Sequence, residues 1–465
     1  MGLDYRWLAG ALALVFGMVM GCTKPTAPRP SPTGKGRLAN GTVIPQFGLA
    51  GTASCSGRSC HGSIAAKEGQ DILQNEHTIW ITRDPHSDAF RVLFNERSKI
   101  IARNLGLKSA HQSERCLACH TNPFIASEQR TNEFTSDERF SGVGCESCHG
   151  NAEHWLAAHT TKEWSTFNDA EKARYGMRAL NDLTVRVRTC AQCHIGAGPN
   201  VAVAPPASAD GVPVRDVNHD LIAAGHPRLD FEFAAYMANM PPHWNVAKKK
   251  PDEWKNWSVG QLVSTQTALE LLAFRAQQAV GDSLPKPWPE FAEFDCFACH
   301  HHLSDPSWRQ TKKHYGGSLP GSLPGNDWYY SVPRALADAD LKADFVELAK
   351  AIRQPVPPRV DVEKKARQLS SKLAAWAEEW KANPPDMNNV RTVLLQQDDL
   401  SWDQAGQLYL VLVAMDAARG EPKPSAALAD LYRALLFPRD ENAVYDSPPD
   451  YRPSVLADIL QKLRK

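Results

Sequence analysis

Ten of the eleven cysteines in this 465-residue chain form five close pairs, and a histidine directly follows the second cysteine of each pair. Four pairs read C-x-x-C-H: Cys116, Cys119 and His120; Cys145, Cys148 and His149; Cys190, Cys193 and His194; Cys296, Cys299 and His300. The first pair, in "SCSGRSCHGS", sets four residues between Cys55 and Cys60 and ends on His61. The C-x-x-C-H spacing lets two thiols form thioethers with the two vinyl groups of one porphyrin, and carries the histidine beneath the iron as proximal ligand. Zinc also takes paired cysteines, but the repeated histidine directly after the second cysteine favours haem. In the first pair the two extra residues need only bulge outward, and Gly57 in "SGRS" tolerates unusual backbone angles. A Cys55–Cys60 disulfide beside a stray histidine is the competing reading there. The expectation is five covalently bound haem c groups.

The eleventh cysteine belongs to the N-terminus. "WLAGALALVFGMVMGC" holds an apolar run from Leu8 to Met20 after Arg6. Such a run suits a signal-peptide core and falls short of the about 20 residues a spanning helix needs. "VMGC" resembles a lipoprotein cleavage box, with Cys22 as the lipidated residue; an uncleaved anchor or a plain signal peptide is the alternative. Each reading exports the chain to a compartment where thiols oxidise and haem can be attached.

Lys plus Arg and Asp plus Glu both number 52, so no basic surplus points to a nucleic-acid partner. The expected organisation is a signal peptide over 1–22, a Pro/Thr/Gly-rich tether over 23–50, a pentahaem region over 51–315, a linker over 316–329 and a helical domain over 330–465. The fold class is mainly α: short helices and loops wrapped around haems, then a C-terminal helical domain. In that domain Val362, Ala366, Leu369, Leu373, Trp376 and Trp380 recur at steps of three and four, with Asp361 as N-cap and Pro384 as stop. Ser401 and Gln404 are spaced as a capping box, and Gly420 closes the same helix. In the haem region, Ser258 and Gln261 mark the start of the longest helical pattern and Gly281 its end.

Eleven histidines lie outside the signatures: His77, His86, His111, His154, His159, His219, His226, His243, His301, His302 and His314. Five six-coordinate irons would need five of them. The contexts of His86, His159, His219, His226, His77 and His154 make these six the distal candidates. His86 follows Pro85 at an expected helix start, and Pro227 in a helix's first turn would fix the chain direction beside His226.

"SGVGCESCHG", and "DPHSDAF" upstream of "CLACH", resemble the exported multihaem cytochromes of the tetrahaem cytochrome c-554 type, over residues 51–315. The resemblance implies close haem pairs, irons that mostly carry two histidines, and a distal role for His86. It also implies proximal ligation by His61, His120, His149, His194 and His300, and multihaem proteins of this kind include four-residue cysteine spacings. The fifth signature and the added helical domain depart from the pattern.

The function expected is electron transfer through five haems in the cell envelope, between redox partner proteins, by a membrane-anchored lipoprotein facing the periplasm or cell exterior. The alternative is a multihaem oxidoreductase with one open haem acting on a small nitrogen or sulfur compound. Asp220, His226, Arg228 and Asp230 could line such a pocket, or pair with one another or with haem propionates. No catalytic residue is assigned. A scaffold or haem-based sensor is a third class.

Overall fold

The run from Glu253 to Gln278 spreads its apolar and small residues over every side, so a helix there has no single solvent face and needs neighbours all round. The structure is a computed structural model. It describes residues 34–37, 43–46, 48–123 apart from 68, 70 and 71, 137–201 apart from 200, 212–278 apart from 247 and 249, 287–300, 322–436 apart from 422, and 453–464. In it, Glu253–Gln278 is one unbroken helix with most of its residues buried. Some of its polar side chains are satisfied within or beside it: Ser258 Oγ donates to Trp254 O at 2.7 Å, and Gln261 Nε2 to Gln407 Oε1 at 3.2 Å. These two residues therefore lie inside the helix and do not cap it. The pattern extends upstream because Trp254 and Trp257, stacked at 4.6 Å, bury against the C-terminal helices. Gly260 makes room for this packing, since a Cβ there would stand 2.9 Å from Cβ of Phe233.

The long helix joins two apolar cores. One combines its Leu262, Leu269 and Leu272 with Val187 of the helix Leu183–His194, Phe345 of Ala339–Ile352, and Val362, Leu369 and Leu373 of Arg359–Ala382. The other gathers Trp254 and Trp257 with Leu394 of Met387–Leu395, Leu408 and Val411 of Trp402–Arg419, Leu431 of Ala426–Leu435 and Leu460 of Ala457–Leu463. The stripe from Val362 to Trp380 is core, as its period implies. Its helix starts earlier than expected, with Pro358 as N-cap; Asp361 lies in the first turn and pairs with Lys365. Asn383 ends it just before Pro384. The capping box of Ser401 and Gln404 is present, and Gly420 takes the left-handed conformation, φ 74°.

Toward the N-terminus the apolar clusters are small, such as Phe90, Leu93, Ala102, Ala110 and Leu117. Strands among the described residues are limited to two short antiparallel pairs, Gly34–Arg37 with Val43–Gln46 and Gly196–Ala197 with Arg215–Asp216. The fold is mainly α. No helix among the described residues is long and apolar enough to cross a membrane. The signal segment with Cys22, Gly281, and His301, His302 and His314 lie outside the described residues.

Candidate functional site

A helical turn brings residues three apart onto one face, so a C-x-x-C pair on a helix turns both sulfurs the same way and the next residue continues the turn. The second to fourth signatures end the helices Glu114–His120, Cys145–His149 and Leu183–His194, and the fifth forms Cys296–Cys299. At the first, Cys55 ends the 3-10 turn Thr52–Cys55. A tight loop then returns the chain: Cys60 N donates to Gly57 O at 2.8 Å and His61 N to Cys55 O at 3.3 Å. The two extra residues are absorbed there. All ten cysteines are thiols in the structure, with no disulfide among them.

Each signature histidine faces a second histidine from a distant part of the chain. Ring centroids lie 6.2 Å apart for His61 and His159, 6.5 Å for His120 and His226, and 6.4 Å for His149 and His243. They lie 5.9 Å apart for His194 and His86, and 6.4 Å for His300 and His219. With metal–imidazole bonds of about 2 Å, and about 1.1 Å from nitrogen to ring centre, two rings on one metal stand about 6.2 Å apart. All five pairs have the spacing of two ligands on a single iron.

Five of the ten rings are anchored at Nδ1, which leaves Nε2 as their ligand atom. Nδ1 of His61 meets Glu76 Oε2 at 2.9 Å, Nδ1 of His86 meets Asp84 Oδ1 at 2.8 Å, and Nδ1 of His120 donates to Ala89 O at 2.6 Å. His159 and His226 use Leu156 O at 2.5 Å and Pro227 O at 2.8 Å. Fixing one nitrogen by a carboxylate or carbonyl is how metal-binding imidazoles are oriented. Burial lowers the pKa of His120, His159, His226 and His243, and pushes His194 down to about 4 with help from His86 and His120. Those rings stay neutral, as metal ligation requires. The Glu76 hydrogen bond raises His61. Burial would lower His86, and the buried Asp84 carboxylate more than offsets it.

Four of the six distal candidates, His86, His159, His219 and His226, thus lie opposite a signature histidine. His77 instead tilts against Trp80 at 5.4 Å, and His154 lies 3.7 Å from Glu153. His243 was missed. The one local hint was "PPHWN", where Pro241 and Pro242 stiffen the approach to the ring. Pro227 opens no helix, because Phe233–Asn239 begins six residues later; His226 is fixed by its backbone N–H donating to Leu221 O at 3.0 Å. His86 sits in the 3-10 turn Pro85–Asp88, where Asp84 Oδ1 also accepts from its backbone N–H at 3.0 Å.

"DPHSDAF" and "SGVGCESCHG" touch. Val143 N donates to His86 O at 3.0 Å, and Gly142, at φ 61°, permits it because a Cβ there would stand 2.6 Å from that oxygen. Within the third signature, Glu146 is fully buried and accepts from Ala50, Gly51 and Ala152 N–H at 2.9, 2.8 and 2.6 Å. It ties the segment before Cys55 to the helix Cys145–His149. Bonds to a charged acceptor contribute about 1.5–3 kcal/mol each, and orphaned buried donors cost about as much. Glu146→Ala should therefore destabilise the holoprotein by about 3 kcal/mol or more, read as a lowered denaturant midpoint.

Thiol contacts place sites beside one another. Cys55 lies close enough to Cys145 for the two thiols to interact, and so does Cys119 to Cys193. Cys148 lies within electrostatic range of Cys190 and Cys193. His219 and His226 flank one short helix, His219–Ala223, whose cap Asn218 accepts from Arg115 beside Cys116. The sites therefore neighbour one another in the order first, third, fourth, second, fifth.

The match to known sequences agrees with this chemistry. Residues 54–150, with the first three signatures, match the family described as cytochrome c554 and c-prime. This segment is cytochrome c554-like. The match supports a c-type cytochrome reading of this segment, a family whose haem is covalent and whose role is electron transfer. Cytochromes of the c554 type are typically exported. The match spans roughly a fifth of the chain. No curated protein and no solved structure matches it. The residues present fit haem on a further count: Arg215 is 1% exposed, and its Nε and Nη1 have no hydrogen-bond partner among the described residues. A buried guanidinium without an anion is strongly unfavourable, and a haem propionate, when bound, would supply a carboxylate for it. A cleft of about 490 Å³ lined by Arg188, Gln192, Glu270 and Phe274 contains none of the paired histidines.

Proposed function

We propose that the chain is a pentahaem electron carrier of the cell envelope, exported and held at a membrane by a lipid on Cys22, passing electrons between redox partner proteins. Five pairs of cysteines would attach the haems. His61, His120, His149, His194 and His300 would be proximal ligands, opposed by His159, His226, His243, His86 and His219. Haem c, when bound, supplies a one-electron iron couple whose potential depends on axial ligands, charge and burial. The observation that carries the reading is the spacing of all five histidine pairs. A second imidazole on every iron leaves no coordination position for a substrate, which favours a carrier over an enzyme.

The neighbour order supports an unbranched series. At its two ends lie the first and fifth sites, which also hold the two exposed signature cysteines, Cys60 and Cys299. Electrons would enter and leave there, while the second, third and fourth sites stay sheltered. The chain's work is positional: carboxylates and carbonyls at Nδ1 hold the rings, and Arg215 balances a propionate.

Electron paramagnetic resonance of the oxidised holoprotein, with spins integrated against protein, tests the reading. Five low-spin irons and no high-spin signal are expected. A high-spin iron that shifts with nitrite or hydroxylamine would overturn it in favour of an enzyme with an open haem.

A further inference from the structure

The fifth signature differs from the others in what covers it. Phe297, between its cysteines, packs edge-on against Trp402 at 5.6 Å, and Trp402 stacks on Trp328 at 6.0 Å. Trp402 opens the helix Trp402–Arg419, and Asp403 follows it, 2% exposed. The Asp403 carboxylate reaches Arg228 Nη2 at 2.9 Å. Arg228 Nε meets Asp230 at 2.7 Å, and Nη1 lies 3.7 Å from Sγ of Cys296, one of the two attachment sulfurs. The guanidinium also lies over the Trp328 ring, 5.9 Å from its centre. The loop carrying it is clamped from the C-terminal side: Tyr329 Oη donates to Leu229 O at 2.7 Å, and Trp328 Nε1 to Phe231 O at 3.0 Å.

This arrangement puts one cation between two carboxylates directly against the attachment point, sheltered from water by three aromatic rings. A guanidinium flanked by two carboxylates leaves a net negative charge. Charge in such a setting acts more strongly than in bulk water, and net charge and burial are among the levers that set an iron centre's potential. Negative charge stabilises the oxidised iron over the reduced. Burial pushes the Asp403 carboxyl up to about 7 against the pull of Arg228, and the dipole at the first turn of its helix works with the arginine, so the full negative charge is present above that pH.

We propose that Asp403, acting through Arg228, holds down the reduction potential of the fifth haem, which makes the C-terminal helices part of that redox site. This rests on reading the fifth signature as a haem site. Asp403 and Arg228 are positioning residues: neither contacts the iron.

The test is a spectropotentiometric titration of the holoprotein. In Asp403→Asn, one of five one-electron steps should move upward by about tenfold in its reduction equilibrium, or about 59 mV, with the other four in place. Asp230→Asn, on the more exposed flank of the same guanidinium, should raise the same step and no other, so the test survives if Asp403→Asn folds poorly. Asp398→Asn, an exposed carboxylate of the same region paired with Arg464, should move none. Superimposable titrations, or an equal shift of all five steps, would overturn the proposal. If five low-spin irons persist while no step moves, this inference fails and the carrier reading stands. If the unmodified protein integrates to fewer than five irons, the carrier reading itself fails.

Discussion

Replacing His243 with alanine should convert one of five low-spin ferric irons to high spin, whereas His77→Ala should leave all five low-spin. The two residues invite comparison because neither lies in a signature and each is half-buried. His243 faces His149 at 6.4 Å, the spacing of two ligands on one metal. His77 faces Trp80, and its backbone N–H donates to His61 O at 2.9 Å. Removing its ring costs packing and leaves that bond intact. Haem content should remain five in both variants, because attachment depends on the cysteines. Spin integration reads the change as one iron in five. A low-spin spectrum in His243→Ala together with a high-spin signal in His77→Ala would reverse the pairing.

The oxidised spectrum should also divide into two classes. His61 and His159 are nearly parallel at 15°, and His219 and His300 lie at 31°. The other three pairs cross at 76°, 79° and 85°. Axial ligands are a principal control on a haem iron's electronics. Parallel imidazole planes lift the near-degeneracy of the two iron orbitals that overlap the ring π systems, which gives an ordinary rhombic signal. Perpendicular planes preserve it, which gives one very large g value. Two rhombic signals and three of the large-g type are expected in frozen solution. Five signals of one class would contradict the ring orientations. The rhombic pair belongs to the two ends of the series.

The signatures were legible in the sequence because covalent attachment requires its three residues within one turn of chain, so the chemistry is written contiguously. Distal ligation carries no such demand. His243 comes from a Pro-Pro-His turn and meets a ring on the helix Cys145–His149, and nothing local announces that meeting. The helical half was legible in its periodicity, as from Val362 to Trp380, and in the cap of Ser401 and Gln404. Local cap chemistry misled where tertiary burial overrode it: Ser258 would serve as a cap in isolation, but the buried Trp254 and Trp257 carry the helix past it. The junction of Arg228 with Asp403 was beyond reach, since Asp230 offers the same arginine a partner two residues away. Only the packed structure brings up the second carboxylate.

The five histidine pairs carry a consequence for how the chain matures. Each pair joins positions roughly a hundred residues apart, where closing a loop costs entropy that rises slowly with length. The intervals overlap: His86 to His194 straddles His120 and His149, whose own partners lie further on, at His226 and His243. An iron gripping both rings of a pair would act as a crosslink, like a disulfide of comparable span, and restrict the unfolded chain by several kcal/mol. The fifth pair interlocks too, since His219 lies inside the loops closed by His120 with His226 and by His149 with His243, so none of these loops could form in isolation as a small independent unit. Residues as far as His243 would have to be in place before the N-terminal half of the haem region could be locked, and loss of a single distal ring would loosen segments far from its own site.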